Sequence, residues 1–327
     1  MAKDVVYTNG VIAAKESYLL GGKIFKLCEA SAEEAFHSLT ENGFGKGAEA
    51  KSFREYEKLI VADNADLDEF IRIYAPSDAE KAYFLAPRDF HNAKAAVKAL
   101  YSGGDLKAML APDGLVHAEE IVGCVKENDF SPLYNELREA CVNAVELFFK
   151  SQEEQTAVSG AEVGLIFENA KYKYLLKACA RNRFLKKLLV SKIDMTNILT
   201  VFRSQTAEYA LNNAISGGKL KEEKLKLLFS ENVEKAENSL NGTPYEEFLK
   251  LCFDAKNNAL PLAKAELKLD NAETDALEKK KYELKNKEPF LYYVLRRRAE
   301  NSNIRIIFVC LSAGMEEAAI KSRLRAV

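Results

Sequence analysis

The chain has 327 residues, of which 48% are apolar and 29% charged, and its 47 basic and 49 acidic residues give a formal charge of −2. Such a composition describes a folded globular protein rather than a disordered one, and it leaves no global basic field to draw in nucleic acid. No apolar run reaches the ~18 residues a membrane helix needs, and the opening Met1-Ala2-Lys3-Asp4-Val5-Val6 lacks a signal peptide's apolar stretch, so the expectation is a cytoplasmic chain without a direct membrane span.

Ala, Leu, Lys and Glu fill long stretches and favour helices. Residues 5–20 read as a helix ending at Gly21-Gly22, and that helix is expected to pack with the C-terminal part of the chain. Gly43-Phe-Gly45-Lys-Gly47 lacks the spacing and preceding strand of a dinucleotide loop and reads as a plain loop. Pro76 and Pro87 flank one short segment and Pro112 and Pro132 another, as breaks between periodic stretches. Residues 134–149 put Leu137, Cys141, Val145 and Phe148 on one stripe at helical spacing. Residues 171–189 repeat the pattern with Tyr174, Ala178, Phe184, Leu188 and Leu189, behind a dense cationic face. Thr243-Pro244-Tyr245-Glu246 predicts a helix start, with Thr243 as cap, Pro244 at the first helical position and Glu246 at capping-box distance. The stretch Ile304-Arg305-Ile306-Ile307-Phe308-Val309-Cys310 has strand propensity, but its counterparts earlier in the chain are rich in Ala or Leu, which predicts helix here as well.

One three-residue spacing recurs three times: Asp89-Phe-His-Asn92, Asp194-Met-Thr-Asn197 and Glu300-Asn-Ser-Asn303, 105 and 106 residues apart. Each precedes an apolar run. An acid or Asn there can accept hydrogen bonds from free N–H groups at a helix start and complement the helix dipole, so all three motifs are read as structural starts of helices. Ser102-Gly103-Gly104, Ser216-Gly217-Gly218 and Ser312-Ala313-Gly314 follow at 10, 19 and 9 residues from the motif Asn, which predicts a longer helix in the middle copy. Glycine at these sites can end a helix in the left-handed conformation. The expected organisation is three helical units, at residues 1–110, 111–218 and 219–327.

Signatures of chemistry are missing. There is no phosphate-binding G-x-x-x-x-G-K-[ST], no H-E-x-x-H and no G-x-S-x-G. Cys28, Cys124, Cys141, Cys179, Cys252 and Cys310 form no C-x-x-C pair and read as buried reduced thiols. His37, His91 and His117 have no nucleophile or orienting acid beside them in sequence and read as surface or helix-cap residues. No residue is nominated for catalysis, for a cofactor or for a metal. Arg296, Arg297 and Arg298, with Lys279-Lys280-Lys281 upstream, read by default as a solvated face. Arg is also favoured at protein contacts, which makes these three and Arg305 candidate interface residues.

The C-terminal block Glu288-Pro-Phe-Leu-Tyr-Tyr-Val-Leu-Arg296-Arg-Arg-Ala-Glu300-Asn-Ser-Asn303-Ile-Arg305 resembles the signature of the stalk-to-ring adaptor of rotary A-type and V-type ATPases, named C in archaeal and bacterial enzymes and d in the eukaryotic one. Residues 192–203, Leu19-Leu20-Gly21-Gly22 and Ser31-Ala-Glu-Glu-Ala-Phe36 fit the same family, while the first unit, with His91 and an alanine-rich helix, departs from it. The resemblance implies an all-α fold of three similar subdomains around a pseudo-threefold axis, forming a funnel. It implies a non-catalytic rotor component, peripheral to the membrane, that joins central-stalk subunits to the ring translocating H⁺ or Na⁺. The competing expectation is a helical scaffold for an unrelated soluble partner.

Overall fold

The computed structural model describes residues 4–230 and 233–327. Residues 1–3, read above for a leader pattern, and Glu231 with Asn232 lie outside the described residues. The fold is all-α: among the described residues there are α-helices and short 3-10 turns and no strand. In chain order the helices are α1 (Val5–Lys15), α2 (Ala32–Glu41), α3 (Tyr56–Tyr74), α4 (Asp78–Ser102), α5 (Leu106–Met109), α6 (Ala118–Glu127), α7 (Asn135–Glu153), α8 (Gly160–Ala178), α9 (Arg183–Arg203), α10 (Ala207–Asn212), α11 (Glu222–Leu227), α12 (Val233–Glu237), α13 (Glu246–Lys256), α14 (Ala263–Leu277), α15 (Glu288–Ser312) and α16 (Glu317–Lys321). They form two compact units, Asp78–Leu262 and the discontinuous pair Met1–Ser77 with Ala263–Val327.

In the Asp78–Leu262 unit, α4 is the central helix. It runs unbroken through Pro87, where the sequence suggested a break. An interior proline forfeits one backbone hydrogen bond and costs ~3 kcal/mol or more in an isolated helix. Here the same helix buries Phe84, Leu85, Phe90 and Val97, and each such side chain contributes ~1.5–3 kcal/mol on burial, enough to hold the helix through the proline. The α7 stripe of Leu137, Cys141, Val145 and Phe148 packs into that core with Ile121, Val163 and Phe167, as its spacing predicts. Residues 171–189 are not one continuous helix. The chain turns after α8, and the Asn182 side chain accepts hydrogen bonds from the Phe184 and Leu185 N–H groups to open α9. The middle copy likewise has no longer helix: α9 stops at Arg203 and the extra residues form α10. α13 starts at Glu246, later than Thr243 suggested, with Tyr245 in the N-cap position.

In the discontinuous unit, α15 is the central helix, and Pro289 sits in its first turn, where its missing N–H is no loss. The β-branched stretch 304–310 is helical as expected. Its Ile304, Ile307 and Phe308 share a core with Ile24, Leu27, Phe36, Leu39, Leu59 and Ile60 from the other end of the sequence, and Tyr56 stacks on Phe308 at 4.8 Å. α2 opens with a full capping box between Ser31 and Glu34. α1 belongs to this unit too: Asn9 Nδ2 donates to the carbonyls of Leu284 (2.7 Å) and Asn286 (2.9 Å). All six cysteines are buried and unbridged, and burial pushes the Cys141 and Cys179 thiols up to about 12.

Candidate functional site

The repeated acid-x-x-Asn residues do not open helices. Asp89 and Asn92 lie in the middle of α4, Asp194 and Asn197 in the middle of α9, and Glu300 and Asn303 in the middle of α15. All six are at most 3% exposed. Residues three apart on a helix share a face, so each acid and its Asn point the same way, inward. What they meet is not their own helix end but the backbone of a distant loop.

The three asparagines make the same pair of bonds. Asn92 Oδ1 accepts from Ala111 N–H (2.8 Å) while its Nδ2 donates to Ala111 C=O (3.2 Å). Asn197 does this to Ile215 (2.7 and 2.9 Å) and Asn303 to Arg325 (2.8 and 3.0 Å). A primary amide carries one acceptor and one donor group side by side, which matches the N–H and C=O of a single residue. Buried backbone groups must find partners, and here a helix side chain supplies both.

The acids hold the same loops a few residues further on. Asp89 accepts from Leu115 and Val116 N–H (both 3.2 Å), and Asp194 from Leu220 N–H (3.0 Å). A phenol completes each: Tyr134 Oη donates to Asp89 (3.2 Å) and Tyr245 Oη to Asp194 (2.6 Å). These tyrosines occupy matching places, as the N-cap residues of α7 and α13. Burial first, and then the facing carboxylate, drives both phenols far up, so each remains a protonated donor. The loops come close enough only because of glycine. A Cβ on Gly114 would lie 2.0 Å from Asp89 Oδ1, and one on Gly218 would lie 2.2 Å from Asp194 Oδ1. Gly103 and Gly314 adopt positive φ (81° and 67°) just past α4 and α15, the left-handed helix-ending role expected of them, whereas Gly217 (φ 101°) lies in a turn beyond the end of α10 and ends no helix.

The third clamp is assembled from both ends of the sequence. Asn303 grips Arg325, but Glu300 accepts from Leu20 (3.2 Å) and Gly21 (2.9 Å) N–H. Gly21-Gly22, the extra glycine turn of the sequence, is thus the partner of the last motif. Burial raises the Glu300 carboxyl, against the lowering pull of the two N–H donors. The expected divisions at 110/111 and 218/219 fall inside the clamped loops. The sequence reading also missed Tyr134 and Tyr245. The available signal was a proline just ahead and a Glu just after, in Pro132-Leu-Tyr134-Asn-Glu136 and Pro244-Tyr245-Glu246.

The candidate interface arginines divide. Arg297 is buried, not on a solvated face. Its guanidinium bonds the carboxylate of Asp63, the carbonyl of Asp63 (3.3 Å) and the carboxylate of Asp66 (2.7 Å) from α3. Burial opposes that charge, but Asp63 and then the other partners outweigh it and raise the guanidinium above its usual range. Asn301 ties the same Asp63 (2.9 Å) to Asn64 (3.0 Å). Arg305 is half-exposed and forms a two-pronged pair with Glu57 (2.7 Å each). Arg296 lies over the Tyr292 ring and Arg298 is half-buried. Of the histidines, His91 Nε2 meets Met109 O, His117 is the N-cap residue of α6 and pairs with Asp113, and His37 is exposed. Among the described residues no group of three or more His, Cys, Asp or Glu converges as a metal site, and no helix is long and apolar enough to cross a membrane.

Each clamp ties loop backbone to the buried face of a helix. No curated protein matches the sequence. The family described as ATP synthase (C/AC39) subunit matches residues 8–323, nearly the whole chain, and the chain belongs to that V/A-type ATP synthase subunit family.

Proposed function

We propose that this C/AC39-family chain is the non-catalytic rotor adaptor of a V/A-type ATPase or ATP synthase, coupling the central stalk to the H⁺- or Na⁺-translocating membrane ring. The observation that carries the reading is the threefold recurrence of one buried clamp within a chain whose family is shown. Three like units, arranged as a pseudo-threefold funnel, would present one rigid, broad surface to the stalk and another to the ring. Torque transfer requires stiff helices and contacts of ~1,000 Å² or more, not a reactive side chain. On this reading the protein works on the cytoplasmic side, peripheral to the membrane through the ring. Arg296 remains a candidate for partner contact, whereas Arg297 and Arg305 are committed to Asp63, Asp66 and Glu57 and Arg298 also has partners within the chain.

Co-purification tests it. The tagged chain should retain both central-stalk and ring subunits from detergent-solubilised membranes. Retention of neither would overturn the adaptor role. Retention of stalk subunits alone would leave a stalk component but remove the coupling claim.

A further inference from the structure

Between Asn169 and Ile193 the chain carries eight Lys or Arg residues and no Asp or Glu. The structure sorts them. Lys171 pairs with Glu168, Lys173 with Glu139 (2.7 Å) and Lys177 with Glu136 (2.8 Å), and Lys192 is half-buried with partners of its own. Arg181, Arg183, Lys186 and Lys187 are all exposed and make no ion pair among the described residues. They crowd the turn between α8 and α9. Of the carboxylates beside the turn, Glu80 is buried and accepts from Asn182 Nδ2 (2.7 Å), Glu136 and Glu139 hold the paired lysines, and exposed Asp78 at the start of α4 makes no ion pair with the four cations.

This arrangement works against the fold. Cations at a helix N-terminus oppose the helix dipole, and like charges one turn apart repel. α9 has no acid in its first turn, whereas the corresponding starts of α4 and α15 carry Asp78 with Glu80, and Glu288. Departures from a local rule without an internal compensation mark functional positions. Neither helix that carries the patch supplies the apolar centre of a protein–protein contact: no large apolar side chain of α8 or α9 is exposed.

We propose that the α8–α9 turn, through Arg181, Arg183, Lys186 and Lys187, is an electrostatic contact for an anionic lipid bilayer surface. A cluster of four cations with no apolar anchor suits a headgroup plane, where each basic side chain is worth about fivefold in partitioning. The contact is peripheral and reversible, and high salt releases it because screening shortens to ~3 Å at 1 M.

Vesicle flotation with the full chain alone tests this independently of the adaptor reading. Protein should float with phosphatidylcholine vesicles containing about 30 mol% phosphatidylserine, a strongly anionic surface, not with phosphatidylcholine alone, and should be released at high salt. The variant Arg181→Gln/Arg183→Gln/Lys186→Gln/Lys187→Gln changes only exposed side chains, and its fold is checked by circular dichroism. It should lose about 100-fold or more in partitioning, at about fivefold per charge. A charge-matched control, Lys23→Gln/Lys26→Gln/Lys46→Gln/Lys51→Gln, alters exposed lysines of the other unit and should float like the parent. Equal flotation with neutral and anionic vesicles, an unaffected quadruple variant, or an equal loss in the control would each overturn the proposal. So would binding through these four residues to immobilised polyglutamate with no vesicle binding, which would assign the patch to an acidic protein surface.

Discussion

Replacing Asn197 by Ala is the sharpest test of the clamp. The change strips Ile215 of both backbone partners, an acceptor at 2.7 Å and a donor at 2.9 Å, at a site where Asn197 is 3% and Ile215 8% exposed. Each buried backbone group left unpaired costs ~1–3 kcal/mol, so the local loss is ~2–6 kcal/mol, less whatever an entering water restores. The two-unit fold makes a single global unfolding energy a poor measure, and hydrogen exchange reads the loop directly. At 1.4 kcal/mol per tenfold, amides of residues 213–220 should exchange at least ~30-fold faster, including Leu220, whose own bond is to Asp194. Asn197→Asp adds a directional check. Its second oxygen would face the Ile215 carbonyl, a repulsion that eases only when acid protonates the carboxyl into a donor. Protection should therefore recover in part on acidification in Asn197→Asp and not in Asn197→Ala. Unchanged exchange across residues 213–220 in the alanine variant would refute the clamp as a source of loop rigidity.

Three further outcomes follow from the same geometry. Gly114→Ala and Gly218→Ala push a methyl into the Asp89 and Asp194 carboxylates and should each cost ~1–3 kcal/mol, measured as lower denaturant midpoints; Gly123→Ala, with open space around it, should cost nothing and serves as the control. Arg297→Ala leaves Asp63 and Asp66 without their counter-ion and should destabilise the discontinuous unit by ~3–5 kcal/mol, whereas Asp63→Asn/Arg297→Met should recover part of the loss in thermal melts. The Glu57 carboxyl is held below its ordinary value, chiefly by hydrogen bonding to Arg305. Its contribution is therefore present above the usual carboxylate pKa and is lost as pH falls through the folded value. For so exposed a pair this is only ~0.5 kcal/mol, and Arg305→Ala should flatten the acid limb of the stability–pH curve by that amount while leaving it unshifted at low pH.

The helical class and the period near 105 residues were legible because they depend on composition and spacing. The job of the motif was not. An Asp or Asn ahead of an apolar run looks the same whether it caps a helix or sits on its buried face. Only the partner separates the two, and the partners lie 18–26 residues on for Asp194 and Asn197 and about 280 residues back for Glu300. Tyr245 was passed over because Thr243 and Pro244 account for a helix start without it. Arg297 sits between two other arginines in a run that reads as solvated; its burial follows from Asp63 and Asp66, far upstream on α3.

The split third clamp also constrains how the polypeptide is made. Residues up to Ser77 emerge from the ribosome first, yet Glu300, Asn303 and the α15 core that complete their unit are synthesised last. At ~5–20 residues per second, the early segment waits roughly 10–50 s with Ile24, Leu39 and Ile60 uncovered, while Asp78–Leu262 can fold behind it. Nascent chains arrested once Leu262 has cleared the ribosomal exit tunnel should thus be cleaved by protease within the first 77 residues and resist it over residues 78–262. Birth order and closure order run opposite ways, so a holding chaperone would be needed at the front of this protein rather than at its back.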